Sequence, residues 1–343
     1  MNVNGNFHDH LATIIAGGNL DQSEMFQMMD TILSGKATDA QMGAFMGSLA
    51  AKGETFAELA GAARAMRKKA LRIQAMTFPV VDTCGTGGDG ARSFNISTTT
   101  AFVVAGCGVT VAKHGNRSVS SSCGSADLLE TLGVRLETEP EIVEEAISEI
   151  GIGFLYAPLY HSAMRYAAGP RREIGLRSIF NMLGPLINPA GANCQLLGVY
   201  APELTEMFAE ALKLLGSKRA IVVHGHDGLD EISVCAPTRI SELKDGQIGT
   251  FDLFPEQFFG ELADPADMQG GDPAQNADIT RRILSGESGP RRNVVALNAA
   301  AALAAAGKAA NFQNGIKQAE AAIDTGAAAG KLEQLVEYTG KNG

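Results

Sequence analysis

Short apolar runs alternate with helical stretches along the middle of the chain, and this alternation constrains the fold more than any other feature. The runs cover residues 78–82, 108–112, 152–156, 195–199 and 219–223, and helix-patterned segments at 96–105, 126–132, 140–150 and 202–215 lie between them. Strands taking turns with helices predict an α/β fold: a mostly parallel central sheet with helices on both faces. Residues 231–236 and 247–253 are less regular and predict an antiparallel edge to that sheet.

The chain before this region reads as helices alone. Asp21-x-x-Glu24, Thr38-x-x-Gln41 and Thr55-x-x-Glu58 are three successive capping-box signatures. In each, two side chains satisfy backbone N–H groups left over at a helix start. Met25, Met28, Met29, Ile32 and Leu33 recur at helical spacing, and Gly35 is placed to end that helix. Residues 276–339 are again helical and rich in alanine. With 343 residues, the chain is long enough for about two domains.

Charge and cysteines narrow the function classes. Lysine and arginine number 28 against 38 acidic residues, a net charge of -10, which disfavours a general binder of nucleic acid or anionic membranes. The five cysteines form no C-x-x-C pair, so neither a zinc ribbon nor a redox pair is signalled. Free thiols, and an N-terminus with neither basic start nor apolar stretch, predict a cytoplasmic protein.

Four segments carry the chemistry. Asp82-Thr83-Cys84-Gly85-Thr86-Gly87-Gly88-Asp89-Gly90 follows a strand and leads into a helix. Its glycines let backbone N–H groups approach a ligand, as phosphate cradles do, although a glycine cluster alone also serves a structural turn. Gly85-x-Gly87-x-x-Gly90 matches the dinucleotide fingerprint, but that fold needs an acidic residue about 20 positions on. No Asp or Glu occurs between Asp89 and Asp127. That window holds Arg92, Lys113, His114, Arg117 and many hydroxyls, a composition suited to several phosphates.

Lys113-His114-Gly115-Asn116-Arg117-Ser118-Val119-Ser120-Ser121-Ser122-Cys123-Gly124-Ser125 repeats the strand–loop–helix plan. Two such loops at the carboxyl ends of parallel strands face one crevice. His224-Gly225-His226-Asp227-Gly228-Leu229-Asp230-Glu231 offers a histidine pair at two-residue spacing, open to a metal or a structural role. It also offers adjacent carboxylates, which suit Mg²⁺ together with substrate phosphates or a solvated loop end. Gly169-Pro170-Arg171-Arg172-Glu173 supplies arginine forks, for a bound carboxylate or for Glu173 itself.

Together and in this order, these segments resemble the anthranilate phosphoribosyltransferases, class IV phosphoribosyltransferases of tryptophan biosynthesis. Asp-Thr-x-Gly-Thr-Gly-Gly-Asp at 82–89, Lys-His-Gly-Asn-Arg at 113–117 and Asn-x-Leu-Gly-Pro-Leu at 181–186 carry the likeness, which runs over nearly the whole chain.

The resemblance implies a small helical domain (1–77 with about 165–190), a larger α/β domain (78–164 and 191–343), and a homodimer. It implies attack of the anthranilate amine on C1 of 5-phosphoribosyl-1-pyrophosphate (PRPP), with two Mg²⁺ ions as cofactor. Gly85, Gly88, Asp89, Ser93, Asn95, Ile96, Ser97 and Thr98 would line the PRPP site, continued by Lys113, His114, Gly115, Asn116, Arg117, Ser118, Val119, Ser120, Ser121 and Ser125. Gly85, Asn116, Arg171, His114 and His161 would meet anthranilate. Ser97, Asp230 and Glu231 would hold metal, with Lys113 and Asp89 acting electrostatically.

For that reaction the neutral amine needs no strong base and the departure of pyrophosphate is the hard part, so no covalent intermediate is expected and Cys84 and Cys123 read as packing residues. Nicotinamide oxidoreductases fail the acidic-residue test. A pyrimidine nucleoside phosphorylase, or a non-catalytic relative that binds nucleic acid, fits the Asp230–Glu231 pair less well.

Overall fold

In the computed structural model, residues 3–74, 79–118 and 122–342 are described. The chain opens with four helices: α1 (Val3–Ile15), α2 (Gln22–Leu33), α3 (Asp39–Lys52) and α4 (Phe56–Lys69). Capping boxes form at Asp21, Thr38 and Thr55 as the sequence predicts. Met25, Met28, Met29, Ile32 and Leu33 are all buried. Gly35 follows the helix end at φ +69°, a backbone conformation that glycine adopts without strain.

One seven-stranded sheet follows: β1 (Val80–Gly85), β2 (Thr110–Gly115), β3 (Ile152–Tyr156), β4 (Cys194–Gly198), β5 (Arg219–Gly225), β6 (Thr238–Lys244) and β7 (Gln247–Leu253). Its order is β3-β2-β1-β4-β5-β6-β7; the first five strands are parallel and the last two antiparallel. The antiparallel edge is present, but its first strand is Thr238–Lys244 rather than 231–236. In the stretch predicted as strand, the Ile232 backbone is taken by the Asn298 side chain, which donates to Ile232 O (2.9 Å) and accepts from Ile232 N (3.0 Å).

Side chains alternate between the two faces. Ile221 and Val223 point into a core built with the helices Ile96–Gly106 and Pro290–Ala305, whereas Ala220 and Val222 join the core of α2 and α4. The second core also takes in Ala167, Ile179, Phe180, Met182, Leu183 and Leu186, so residues 165–190 pack with the N-terminal helices. Arg67 of α4 donates to Leu186 O at 2.6 Å, and burial lowers its pKa to about 10.

The connection sense changes between β1 and β4: the chain runs outward from β1 through β2 to β3, then returns to the other side of β1. Such a point opens a crevice outside the carboxyl ends of the strands. β1, β2, β4 and β5 all end at that edge.

Candidate active site

Two of the strands continue further than predicted. Cys84 and Gly85 pair with Leu197 and Gly198 of β4, and Lys113, His114 and Gly115 pair with Phe154, Leu155 and Tyr156 of β3. Each neighbour extends the ladder, so these residues sit on rigid strand ends. Beyond them lie the glycine loop, which enters the helix Ile96–Gly106, and the second loop, which enters the helix Ser125–Leu132.

The loop after β5 meets the glycine loop. Asp230 Oδ2 accepts the Gly87 N–H at 2.8 Å, and Glu231 Oε1 accepts the Ser97 N–H at 3.0 Å. The Asp230 N–H points at Asp89 Oδ2, 3.4 Å away. Gly85 and Gly198 make room for Asp230: a Cβ on Gly85 would stand 2.5 Å from its carboxylate, and one on Gly198 would stand 1.5 Å from its carbonyl oxygen. The clasp from Asn298 fixes the same loop from beneath.

Burial dominates the electrostatics here. It raises the Asp230 pKa well above the usual carboxylate range, with Asp89 and Glu231 adding repulsion. Burial likewise lifts Glu231 to about 8, against the attraction of Lys113. Three acidic side chains, Asp89, Asp230 and Glu231, thus repel one another, and Glu231 lies against Ser97. Among the described residues no three His, Cys, Asp or Glu side chains form a complete metal cage. Two hard carboxylates completed by substrate phosphates are the donor set Mg²⁺ accepts, so these residues fit that ion.

Lys113 is 4% exposed and lies beneath the loops. Its ammonium donates to Thr83 O at 2.5 Å and reaches Ser97 Oγ at 3.4 Å. Burial lowers its pKa, opposed by Asp82, Cys84 and Glu231. Asp82 is fully buried; it accepts from Asn188 Nδ2 (2.8 Å) and the His114 N–H (3.2 Å). Burial raises the Cys84 thiol pKa well above its ordinary value and that of Cys123 to about 11, so neither is an activated nucleophile.

Asn95 ties the two loops together, donating to Cys123 O (3.1 Å) and accepting from Asn276 Nδ2 (2.9 Å). Ile96 and Thr98 are buried, and Thr98 Oγ1 has no hydrogen-bond partner among the described residues. Ser93 bridges to Gln269. Asn116 accepts the Arg117 N–H on its side chain and the Ser125 hydroxyl on its carbonyl. The Arg117 guanidinium is held by Asp127 (3.0 Å) and Glu130 (2.8 Å), and the Ser118 N–H donates to Asp127 (3.0 Å). Val119, Ser120 and Ser121 lie outside the described residues.

His114 and His161 form an edge-to-face pair with centroids 5.1 Å apart. Burial depresses both, His114 to about 3 and His161 to about 4, so the rings are neutral at pH 7. Nε2 of each is buried without a partner among the described residues. Arg171 is half-buried with its guanidinium 5.3 Å from the Phe180 ring centroid, and among the described residues it makes no ion pair, with Glu173 or otherwise. No hydrogen bond links it to the loops among those residues. The other histidine pair does not converge: His224 Nδ1 contacts Val199 O at 2.7 Å, while His226 lies 3.4 Å from Asp252.

Sequence reasoning left Asn188, Asn276 and Asn298 without a role. Asn298 had a signal, a lone amide inside an alanine-rich apolar run. Asn276 had none, because its partner Asn95 is 181 residues away.

The chain matches two family models: the helical bundle domain of a glycosyl transferase family over residues 8–70, and the α/β domain of a glycosyl transferase family over residues 77–329. It is 66% identical to an anthranilate phosphoribosyltransferase of Desulfosudis oleivorans over 98% of this chain and 100% of that one. The crystal structure of anthranilate phosphoribosyltransferase from Thermus thermophilus superposes with a TM-score of 0.92 at 42% identity, covering 96% of this chain and 99% of that one. The enzyme from Saccharomyces cerevisiae, solved in complex with PRPP and Mg, matches with a TM-score of 0.89 at 27% identity over 98% of each chain.

Proposed function

The chain belongs to the anthranilate phosphoribosyltransferase family, and from that premise we propose how its own residues transfer the phosphoribosyl group of PRPP to anthranilate. The observation that carries the reading is the junction of Asp230 with Gly87 and of Glu231 with Ser97, which sets hard acidic ligands against a backbone phosphate cradle.

An aromatic amine is neutral at pH 7, so the nucleophile needs no strong base. Its nitrogen forms a bond to C1 of the ribose as the C1–O bond breaks. Pyrophosphate keeps the bonding electrons, and one amine proton is released. The demanding part is the negative charge gathering on pyrophosphate. The N–H groups of the glycine loop that Asp230 does not take stabilise it, while those of Gly87 and Ser97 hold the two carboxylates in place. Mg²⁺, when bound, supplies Lewis-acid neutralisation of that charge. Asp230 and Glu231 would hold it, and we infer two ions. Lys113 acts from below, holding Ser97 and offsetting the charge of Glu231.

On the acceptor side, Arg171 offers a planar fork to the anthranilate carboxylate, and the neutral faces of His114 and His161 suit its ring. Placing the amine against C1 supplies much of the remaining acceleration. We infer a homodimer formed through the helical layer. Ile15 (64% exposed), Tyr166 (37%) and Leu176 (69%) support it, lying at the ends of α1 and of the helix Arg165–Ile174, which both pack on α3. The cytoplasm suits the five free cysteines, and no helix among the described residues is long and apolar enough to cross a membrane.

The test is loss of anthranilate fluorescence on adding PRPP and Mg²⁺. Loss that EDTA abolishes is expected. No loss at saturating PRPP and Mg²⁺ would refute the assignment.

A further inference from the structure

Arg177 spans the space between the acceptor segment and the donor loop. It lies in the turn between the helix Arg165–Ile174, which carries Arg171, and the short helix Ile179–Leu183. Its guanidinium stacks on Tyr200, 3.8 Å from the ring centroid, and Nη2 donates to the Gly88 carbonyl at 2.8 Å. The ring is itself held, because the Tyr200 hydroxyl reaches Met182 Sδ at 3.6 Å. Gly88 has φ +77°, and a Cβ there would stand 2.2 Å from Arg177 Nη2. With no side chain at residue 88, the guanidinium sits against the loop in this position. The stack on Tyr200 and the approach to Gly88 are separate observations, and they agree.

We propose that Arg177, stacked on Tyr200 and bonded to Gly88, is a positioning residue that orders the glycine loop before the donor arrives. The proposal rests on the reading of that loop as the pyrophosphate cradle. Gly87, Gly88 and Gly90 all have positive φ, and a glycine-rich turn is loose on its own. Ordering it at the moment of binding would weaken affinity, whereas a loop already held avoids that cost. Arginine suits the task because one planar group both stacks on an aromatic face and donates. Lysine could still donate but would lose the stacked fork.

The experiment uses the full chain in four variants: Arg177→Ala, Arg177→Lys, Tyr200→Leu and Tyr200→Phe. Amide hydrogen exchange of residues 86–91 is measured without substrate, and steady-state kinetics are then run with each substrate varied. Arg177→Ala should speed exchange in the loop about tenfold and raise the PRPP KM about tenfold, with the anthranilate KM little changed. Arg177→Lys and Tyr200→Leu should fall between it and wild type. Tyr200→Phe, which keeps the ring and loses only the long contact of its hydroxyl with Met182 Sδ, should stay near wild type and clearly apart from Tyr200→Leu. Melting temperatures identify any variant that fails to fold, and the Tyr200 pair then decides the matter.

Unchanged loop exchange in Arg177→Ala, or equal behaviour of Tyr200→Leu and Tyr200→Phe, would overturn the proposal. So would a rise in both KM values together. The exchange measurement needs no substrate, so an inactive wild type would refute the transferase reading while exchange alone decided the latch.

Discussion

Asp230 and Gly87 stand 143 residues apart in sequence, and the carboxylate of one accepts the backbone N–H of the other at 2.8 Å. The carboxylate loop and the glycine loop are therefore joined at Gly87, and a change on either side is felt on both.

The acidic pair is the first place to test this. Asp230→Asn with Glu231→Gln keeps shape and removes the two carboxyl groups that would ionise to hold Mg²⁺. Turnover should fall by roughly a hundredfold or more, the scale of losing electrostatic stabilisation of a leaving group. The Mg²⁺ concentration for half-maximal activity should rise. A Mg²⁺ titration identical to wild type would make these carboxylates structural only.

Gly88→Ala strains the backbone at φ +77° and drives a methyl group into Arg177. Residues other than glycine lose roughly 1–2 kcal/mol in this conformation, and the guanidinium must also leave. PRPP binding measured by calorimetry should weaken by about tenfold or more in a folded protein. Unchanged binding would remove the loop from the donor site.

Arg171→Ala should raise the anthranilate KM by about one to two decades, because a charge-assisted hydrogen bond contributes roughly 1.5–3 kcal/mol. The PRPP KM should hold. Arg172, its exposed neighbour, is the control, and Arg172→Ala should leave both values near wild type. A rise in the PRPP KM alone would move Arg171 to the phosphate side.

The paired imidazoles give a pH dependence with a defined sign. Burial holds His114 at about 3 and His161 at about 4, both below the ordinary 6.5. Under pH 6.5 the unfolded chain binds protons that the folded chain refuses. Their contribution is therefore complete above pH 6.5 and is lost as pH falls toward 4. Each imidazole costs about 1.4 kcal/mol per pH unit in that window. His161→Gln should lose roughly 2 kcal/mol less than wild type between pH 6.5 and 5, measured by urea unfolding, where contributions from groups other than the paired His114 cancel in the difference. Equal losses would mean that His161 is not held neutral.

Local signals were the legible part of this molecule. Capping boxes at Asp21, Thr38 and Thr55 need only four residues each, and the strand runs need only apolar patterning with a glycine loop after them. The glycine loop and Asp230–Glu231 were legible as chemistry for the same reason. What escaped was set by partners distant in the chain. Strand ends at Gly85 and Gly115 depend on β4 and β3. The 231–236 segment looks like a strand until Asn298 takes its backbone. The pairing of Arg117 with Asp127 and Glu130 is likewise invisible in its own loop, where it reads as a phosphate ligand. Arg177 has no local signature at all, since its meaning comes from Tyr200 and Gly88.

The shared core of the first helices and the sheet also has a consequence for synthesis. α4 packs against the helix Leu204–Leu214, which leaves the ribosome much later than α4 does. At about 5–20 residues per second, that face of α4 waits on the order of ten seconds for its partner. The amino-terminal helices can cap and pair with one another meanwhile, but their layer is finished only when the later chain emerges. Nascent chains truncated before residue 204 should therefore be the ones that chaperones hold.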